Sequence, residues 1–386
     1  MANSERMKDI IDYIITWLCY GNADAAKRVA YTADEKALKN HDVIIIPNGH
    51  LGVDLILPEL KRPIVEEPKK GKTIIRTDIV YATFFFTSRA EEIINSHRDE
   101  HGRFLAKYSV LGQRSRLQIP RLDEYARLVL KQLHLPLPSF GFNHIYLTHD
   151  IDAISQYRHL RGAIGGLLRN EAKQVWKALW DLHCDPLYTF PWIIQQDARI
   201  ANAESIYFVK QTCGRGYDYP QYCLWGRDWR HLKRVLLNAG AHLGLHSSYY
   251  GDLPKQRNYA LHRSHYLRCS IEQMQAIADA GYTDDFTMGF ADQAGFRLQT
   301  TRAVRWINPK TMTLTPLTLH PLMIMDNTLS NSNYMNLTED EADFLCERLM
   351  EKVQLHHGDL CLLWHNSNLT PDTYHQSLYE KIINCL

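Results

Sequence analysis

The sequence has no excess charge of either sign, no long apolar run and no paired-cysteine motif. Forty-four Lys and Arg face 43 Asp and Glu, a formal net charge of +1. No global field therefore points to nucleic acid or to an acidic polymer, and a charged partner needs a local patch. The eight cysteines, at 19, 184, 213, 223, 269, 346, 361 and 385, form no C-x-x-C pair, so neither a zinc ribbon nor a thioredoxin-like site is suggested. Their scatter fits buried thiols in a reducing compartment better than a disulfide scaffold. At the N-terminus, Lys8, Asp9 and Asp12 interrupt the apolar residues of MANSERMKDIIDYIITWLCYG. That makes a poor signal-peptide core and falls short of the ~20 apolar residues of a membrane span. A cytoplasmic protein is the expectation. There is no internal repeat, no G-x-S-x-G elbow, no G-x-x-x-x-G-K-[ST] phosphate loop and no H-E-x-x-H helix.

What is present suggests two domains, because 386 residues exceed the ~250–300 that one hydrophobic core usually spans. Val43 to Ile46 reads as a buried strand before the Pro47-Asn48-Gly49 turn signal. Segment 64–72 reads as a charged loop, and 73–86 alternates well enough to be strand-rich. Arg121 to Leu135 has helical spacing, and the Leu-Pro-Leu-Pro-Ser run at 135–139 ends it. The boundary is placed there, giving a smaller α+β domain over 1–140 and a second domain over 141–386.

Beyond 140, short apolar strands alternate with helices, the pattern of a parallel α/β sheet. Strands are predicted at 145–147, 206–209, 242–245 and 360–363, and helices at 228–239, 270–280, 340–355 and 372–384. In parallel barrels functional residues gather where strands end. That rule selects Thr148-His149-Asp150-Ile151-Asp152, His246-Ser247-Ser248 and Trp364-His365-Asn366.

If the strand continues through 152, Asp150 and Asp152 share a face. Two such carboxylates repel unless a cation or an arginine sits between them, and a divalent metal on one, leaving the other as base, relieves that repulsion. The plainer alternative is an aspartate-rich loop that caps a helix. His246 can be a structural histidine or a metal ligand. His365 can be an acid–base group or a satisfied residue at a rim.

The order of these segments resembles the polysaccharide deacetylases of the NodB-homology type, whose fold is a (β/α) barrel, usually seven-stranded. T-H-D-I-D at 148–152 resembles the family's first motif, which implies Asp150 as general base and Asp152 as metal ligand. His246-Ser247-Ser248-Tyr249-Tyr250 resembles the second, with Tyr250 where the family has its second histidine. Arg263-Ser264-His265-Tyr266 resembles the third, which implies that Arg263 orients the base. LCLLWHN at 360–366 resembles the fifth and implies His365 as the catalytic acid; Asp285 to Gly289 occupies the place of the fourth. With Tyr250 in the histidine's place, His265 is the expected third ligand, and Tyr266 is expected to offer its backbone N–H to the oxyanion. Tyr250, Trp364 and Arg297 complete the expected site as substrate contacts. Further stretches, Phe84 to Glu92, Asp99 to Phe104, Gly289 to Asp292, Gly295 to Arg297 and Pro321 to Asp326, resemble a bacterial subgroup with an uncharacterised N-terminal domain.

The resemblance implies a metal-dependent hydrolase, with zinc the first choice of divalent ion, that removes an N-acetyl group from a carbohydrate in surface-polysaccharide or glycan-precursor synthesis. A metal-free C–N hydrolase on the same barrel and a non-catalytic glycan-binding relative are the alternatives. An insert over 153–204 carries IGGLLRNEAKQVWKALWDL, read as one basic amphipathic helix. Such a helix either packs on its own barrel or lies on an anionic membrane surface beside a lipid-linked glycan. Trp192, Trp225 and Trp229 are either sugar platforms or core.

Overall fold

A computed structural model describes residues 2–48, 66–69, 71–113, 116–211, 216–219, 221–251, 253 and 259–386. The first third is built on a four-stranded sheet. Its strands are β1 (Val29–Tyr31), β2 (Val43–Ile45), β3 (Glu66–Lys69) and β4 (Lys72–Ile75), in the order β1-β2-β4-β3 with β3 antiparallel. The expected charged loop over 64–72 is thus partly strand; 64, 65 and 70 lie outside the described residues.

The reading of 73–86 as strand-rich is corrected. After β4 the chain forms a helix at Ile79–Thr87, and all nine of its residues are buried. The Asp78 side chain caps it by accepting the Tyr81 N–H at 2.9 Å. A helix apolar on every side carries no 3.6-residue stripe, so its sequence does not announce the helical period. The helix expected from 121 spans Arg121–Gln132.

The larger sheet has nine strands. They are β5 (His144–Ile151), β6 (Ala203–Lys210), β7 (His242–Ser247), β8 (Leu261–Ser264), β9 (Asp284–Met288), β10 (Val304–Asn308), β11 (Thr313–Pro321), β12 (Ile324–Met325) and β13 (Asp359–Leu363). Their order is β10-β11-β9-β8-β7-β6-β5-β13-β12, and only the β10–β11 pair is antiparallel. Strand β11 runs into β12 through Leu322 and Met323. The Leu322 N–H bonds the Met288 carbonyl of β9 at 3.1 Å, and the Met323 N–H faces the Cys361 carbonyl of β13 at 3.5 Å. One segment thus touches two strands from opposite parts of the sheet, which is therefore curled.

The curl has an inside and an outside, set by the two-residue period of its strands. On β5, Tyr146 faces a small inner core with Ile206, Phe208, Phe286, Cys361 and Leu363. Leu147 and Ile151 face outward to a core shared with the helices at Arg227–Asn238, Glu339–Leu355 and Tyr374–Cys385. The N-terminal helix Ala2–Leu18 and the helix at 79–87 join Trp306, Leu317 and Leu319 in a third core, so the first third packs directly on the large sheet. Among the described residues, no helix is long and apolar enough to cross a membrane.

The helices expected at 228–239, 270–280, 340–355 and 372–384 are found at 227–238, 271–279, 339–355 and 374–385. The insert differs: its single expected helix is two, Leu160–Leu168 and Ala172–Trp180. They are separated at Asn170, which is left-handed with φ 62°. Asparagine tolerates that conformation better than most residues, so it can end the first helix.

Candidate active site

Alternation on β5 turns Asp150 inward, and Asp152 follows one step beyond the strand end. Beneath them lies an aromatic floor in which the Phe208 and Phe286 rings are 5.6 Å apart. Gly244 permits this floor, because a Cβ there would stand 2.5 Å from the Phe208 ring. The Arg263 guanidinium, fully buried, lies 4.4 Å over Phe208. It donates to Asp150 Oδ1 at 3.0 Å and to the Phe286 carbonyl at 3.1 Å. One carboxylate oxygen of Asp150 is thereby fixed, and the other faces the cavity.

Above this pair stand three imidazoles. His246 Nε2 is 3.5 Å from Asp150 Oδ2 and 3.8 Å from Asp152 Oδ1. His265 Nε2 is 3.5 Å from the same Asp152 oxygen. Each of these rings has its other nitrogen engaged: His246 Nδ1 with the Arg263 carbonyl at 3.2 Å, His265 Nδ1 with Asp218 Oδ1 at 2.8 Å. With acceptors on Nδ1, both rings carry the proton there and turn an Nε2 lone pair toward Asp152. Burial lowers the pKa of both rings, that of His246 to about 4, so both are neutral at pH 7.

Among the described residues, Asp152 Oδ1 is buried and accepts no hydrogen bond. Burial raises this carboxyl's pKa, but His246, His265, His365 and Lys210 outweigh it and hold the group below the usual carboxylate range. The ligand atoms of Asp152, His246 and His265 lie within 4.8 Å of one another. Two neutral imidazole lone pairs and an unbonded carboxylate oxygen, converging in this way, fit a divalent cation such as zinc. Tyr250 takes no part in that cluster; its exposed ring stacks on Tyr217 at 6.2 Å.

His365 differs from the other two. Its Nδ1 donates to Asp326 Oδ1 at 2.9 Å, its backbone N–H to Asp326 Oδ2 at 2.7 Å, and its Nε2 stands 3.9 Å from Asp150 Oδ2. Burial disfavours the charged ring, yet the fully buried Asp326, with Asp150 and Asp152, prevails and pushes its pKa up to about 10. His365 is an imidazolium at neutral pH, a proton donor beside a carboxylate.

These side chains line one cavity of about 280 Å³, together with Arg103, Tyr266, Leu267, Ala291, Asn327, Asn331 and Tyr334. Tyr266 and Leu267 both have left-handed backbones, φ 61° and 54°, a costly conformation for large residues that recurs at functional sites. Asp150, Asp152, His246, His265, Tyr266 and His365 are therefore brought together, with Arg263 behind Asp150. The three expected substrate contacts are not, Tyr250 lying outside this lining. Trp364 is fully buried behind the sheet, its indole N–H donating to the His375 carbonyl at 3.3 Å. Arg297 is buried between Glu92 (2.7 Å) and the Gly289 carbonyl (2.8 Å), where it ties the first third of the chain to the large sheet.

Several residues of the site were given no role from the sequence, although Arg103 and Asp326 lie in stretches singled out there. Asp326 ends an apolar run and could have been taken for a strand-end aspartate. Asp218 and Lys210 had no signal of their own. Arg103 comes from the first third; it bonds Asp99 Oδ2 at 2.8 Å and the Tyr334 hydroxyl at 2.9 Å. Of the three tryptophans considered as platforms, Trp229 is core, Trp192 is half-buried and Trp225 is exposed.

Comparison with known proteins adds little chemistry. A model of a family of unknown function, DUF7033, matches residues 4–138. No curated protein matches the chain. Among solved structures, a Mycobacterium smegmatis protein titled a "putative polysaccharide deacetylase" is 14% identical, over 65% of this chain and 88% of that one, with a TM-score of 0.41. A likeness that faint carries no argument for this chain, and the functional case rests on the cavity itself.

Proposed function

We propose that this protein is a metal-dependent carbohydrate N-deacetylase built on a distorted seven-stranded barrel. In that reading β5 to β9, the β11–β12 segment and β13 form the wall, and residues 1–140 form an N-terminal domain that packs on it and brings Arg103 to the cavity. The observation that carries the reading is the meeting of a free carboxylate oxygen and two neutral imidazole lone pairs beside an ion-paired aspartate and a protonated histidine. Binding alone does not require an acid and a base side by side in one pocket.

Asp152, His246 and His265 would hold the cation, which supplies Lewis acidity toward an acetyl carbonyl and makes water more acidic. Asp150, oriented by Arg263, takes the proton of the attacking water through its cavity-facing oxygen. The Tyr266 backbone N–H is our choice for a donor to the developing oxyanion. His365 gives its proton to the departing amine, and Asp326 keeps that proton available at neutral pH. Acetate and a free amino sugar leave. The scattered cysteines fit a cytoplasmic, reducing setting for this chemistry.

One observation favours a metal-free C–N hydrolase instead: Lys210 Nζ lies 3.6 Å from Asp152 Oδ1 and could neutralise it without a cation. Elemental analysis of the purified protein beside His246→Ala separates the two. About one equivalent of zinc or a similar ion, lost in the variant, together with acetate release from N-acetylated glycans, is the expected result. No metal after incubation with zinc or cobalt would overturn the metal-dependent reading.

A further inference from the structure

Leaving the strand that carries Asp150, the chain forms the helical hairpin of residues 160–180, and this hairpin holds an unusual share of the exposed apolar surface. Seven of the sixteen large apolar side chains exposed among the described residues lie on it. Leu160, Ile164, Leu167 and Leu168 form a stripe on the first helix; Trp176, Leu179 and Trp180 form one on the second, and Leu168 and Trp180 are 80% and 93% exposed. Single exposed apolar residues are ordinary, but a cluster of this kind marks a contact surface.

The two stripes fall on one side of the hairpin. The helices meet through Gly166, whose Cβ would stand 2.5 Å from Val175, and through the small core of Tyr157, Val175 and Ala178. At 100° per residue, each apolar stripe lies about 120–135° round from that shared face, in the same rotational sense. Helices running antiparallel reverse the sense in space, so the stripes point the same way. The hairpin is antiparallel: Arg158, just before the first helix, donates to the Leu179 carbonyl near the end of the second at 2.9 Å.

Charge identifies the occupant. From 158 to 183 the chain has five Arg and Lys against two carboxylates, net +3 in a protein of net +1. Arg161, Lys173 and Lys177 follow the apolar stripes on the outer flanks, all exposed, whereas Arg169 lies on the other side and pairs with Glu171 at 2.8 Å. Apolar side chains and tryptophans on one face, with cations along its edges, match the headgroup boundary of an anionic bilayer. The hairpin also lies at the site's end of the sheet. Arg158 is paired to Asp228 at 2.8 Å, and Arg161 lies 3.9 Å over the Tyr219 ring, next to Asp218.

We infer that the 160–180 hairpin docks this protein peripherally on an anionic membrane surface. The inference is independent of the reaction and is tested without a substrate. The full-length protein is floated with vesicles of phosphatidylcholine alone or with about 30% phosphatidylglycerol. The expected result is at least tenfold tighter binding to the anionic vesicles, weakened by salt. Lys173→Gln/Lys177→Gln should weaken it about 25-fold, from roughly fivefold per cation. Trp176→Ser/Trp180→Ser should abolish it while melting temperature and metal content stay at wild-type values, because both side chains are exposed. Three results would overturn the inference: no binding by the wild type, equal binding to both lipids, or a concentration-dependent dimer that the tryptophan variant abolishes. The last would make the face an interface between two copies.

Discussion

Replacing Asp218 by asparagine tests the metal site through a residue that would not itself touch the ion. Asp218 is fully buried and accepts from the His265 ring at 2.8 Å and from the Tyr250 backbone N–H at 2.8 Å. Asparagine keeps the shape but offers an acceptor on one side only. If its NH2 faces Tyr250, His265 keeps its Nδ1 proton and loses only the charge behind it. If the NH2 faces His265, the ring must move its proton to Nε2, and the lone pair toward Asp152 disappears. Partners behind a ligand typically contribute 10–100-fold to metal affinity, about 1.4–2.7 kcal/mol, and these two arrangements correspond to its lower and upper ends. Competition with a chromophoric zinc chelator measures the change. The control is Asp326→Asn, which alters the group behind His365 and should not weaken zinc binding. A folded Asp218→Asn protein that binds zinc like the wild type would refute both the ligand role of His265 and its tautomer.

Asp326→Asn should also lower the His365 pKa from about 10 toward the ordinary histidine range. The proposed acid would then lose its proton near neutrality, and the alkaline limb of the deacetylation profile should move down by two units or more; an unmoved limb counts against His365 as the acid. Glu92→Gln leaves Arg89 and Arg297 buried with their shared carboxylate gone, and unfolding in urea should show a loss of about 3–5 kcal/mol. Burial raises the Glu92 pKa, but the two arginines outweigh it and bring it down to about 2. Being depressed in the fold, this carboxylate contributes fully above an unfolded value near ~4.3 and loses its contribution as pH falls toward 2. The urea midpoint of the wild type should therefore decline over that window, and that of Glu92→Gln should decline less.

The strands with apolar cores were legible in the sequence, and so were the residues at their ends. Asp150 and His246 lie among the last residues of such strands and His365 follows one, so strand-end logic and motif order could select them. Strands β8 and β9 were not read as strands, because LHRS and DDFTM carry His262, Arg263 and Asp285 inside a fully buried sheet. His262 Nδ1 bonds Asp285 Oδ2 at 2.7 Å, and polar residues satisfied by each other leave no hydrophobic pattern to detect. Strand β11 was hidden differently, by the prolines in TLTPLTLHP. Trp364 and Arg297 were misjudged because proximity in sequence to a site does not fix a side chain's face. Trp364 directly precedes His365, yet successive strand residues point to opposite sides.

The first third of the chain is no detachable attachment to the larger sheet. Glu92 neutralises Arg297, and Asp292 accepts the N–H groups of Ala106 at 2.7 Å and Lys107 at 3.3 Å. Asp123 accepts from Thr300 at 2.8 Å and from Arg302 at 2.9 Å. Removing residues 1–140 would leave Arg297, Asp292 and Arg302, buried here, without their partners. The apolar faces of Trp306, Leu317 and Leu319 would also meet water, and at about 1.5–3 kcal/mol for each such side chain the loss rivals the 5–15 kcal/mol by which whole domains are stable. A fragment of residues 141–386 should therefore fail to show a cooperative melting transition, whereas the full chain shows one. The same segment carries Arg103 to the cavity wall, so whatever the cavity binds meets a surface made by both parts of the chain.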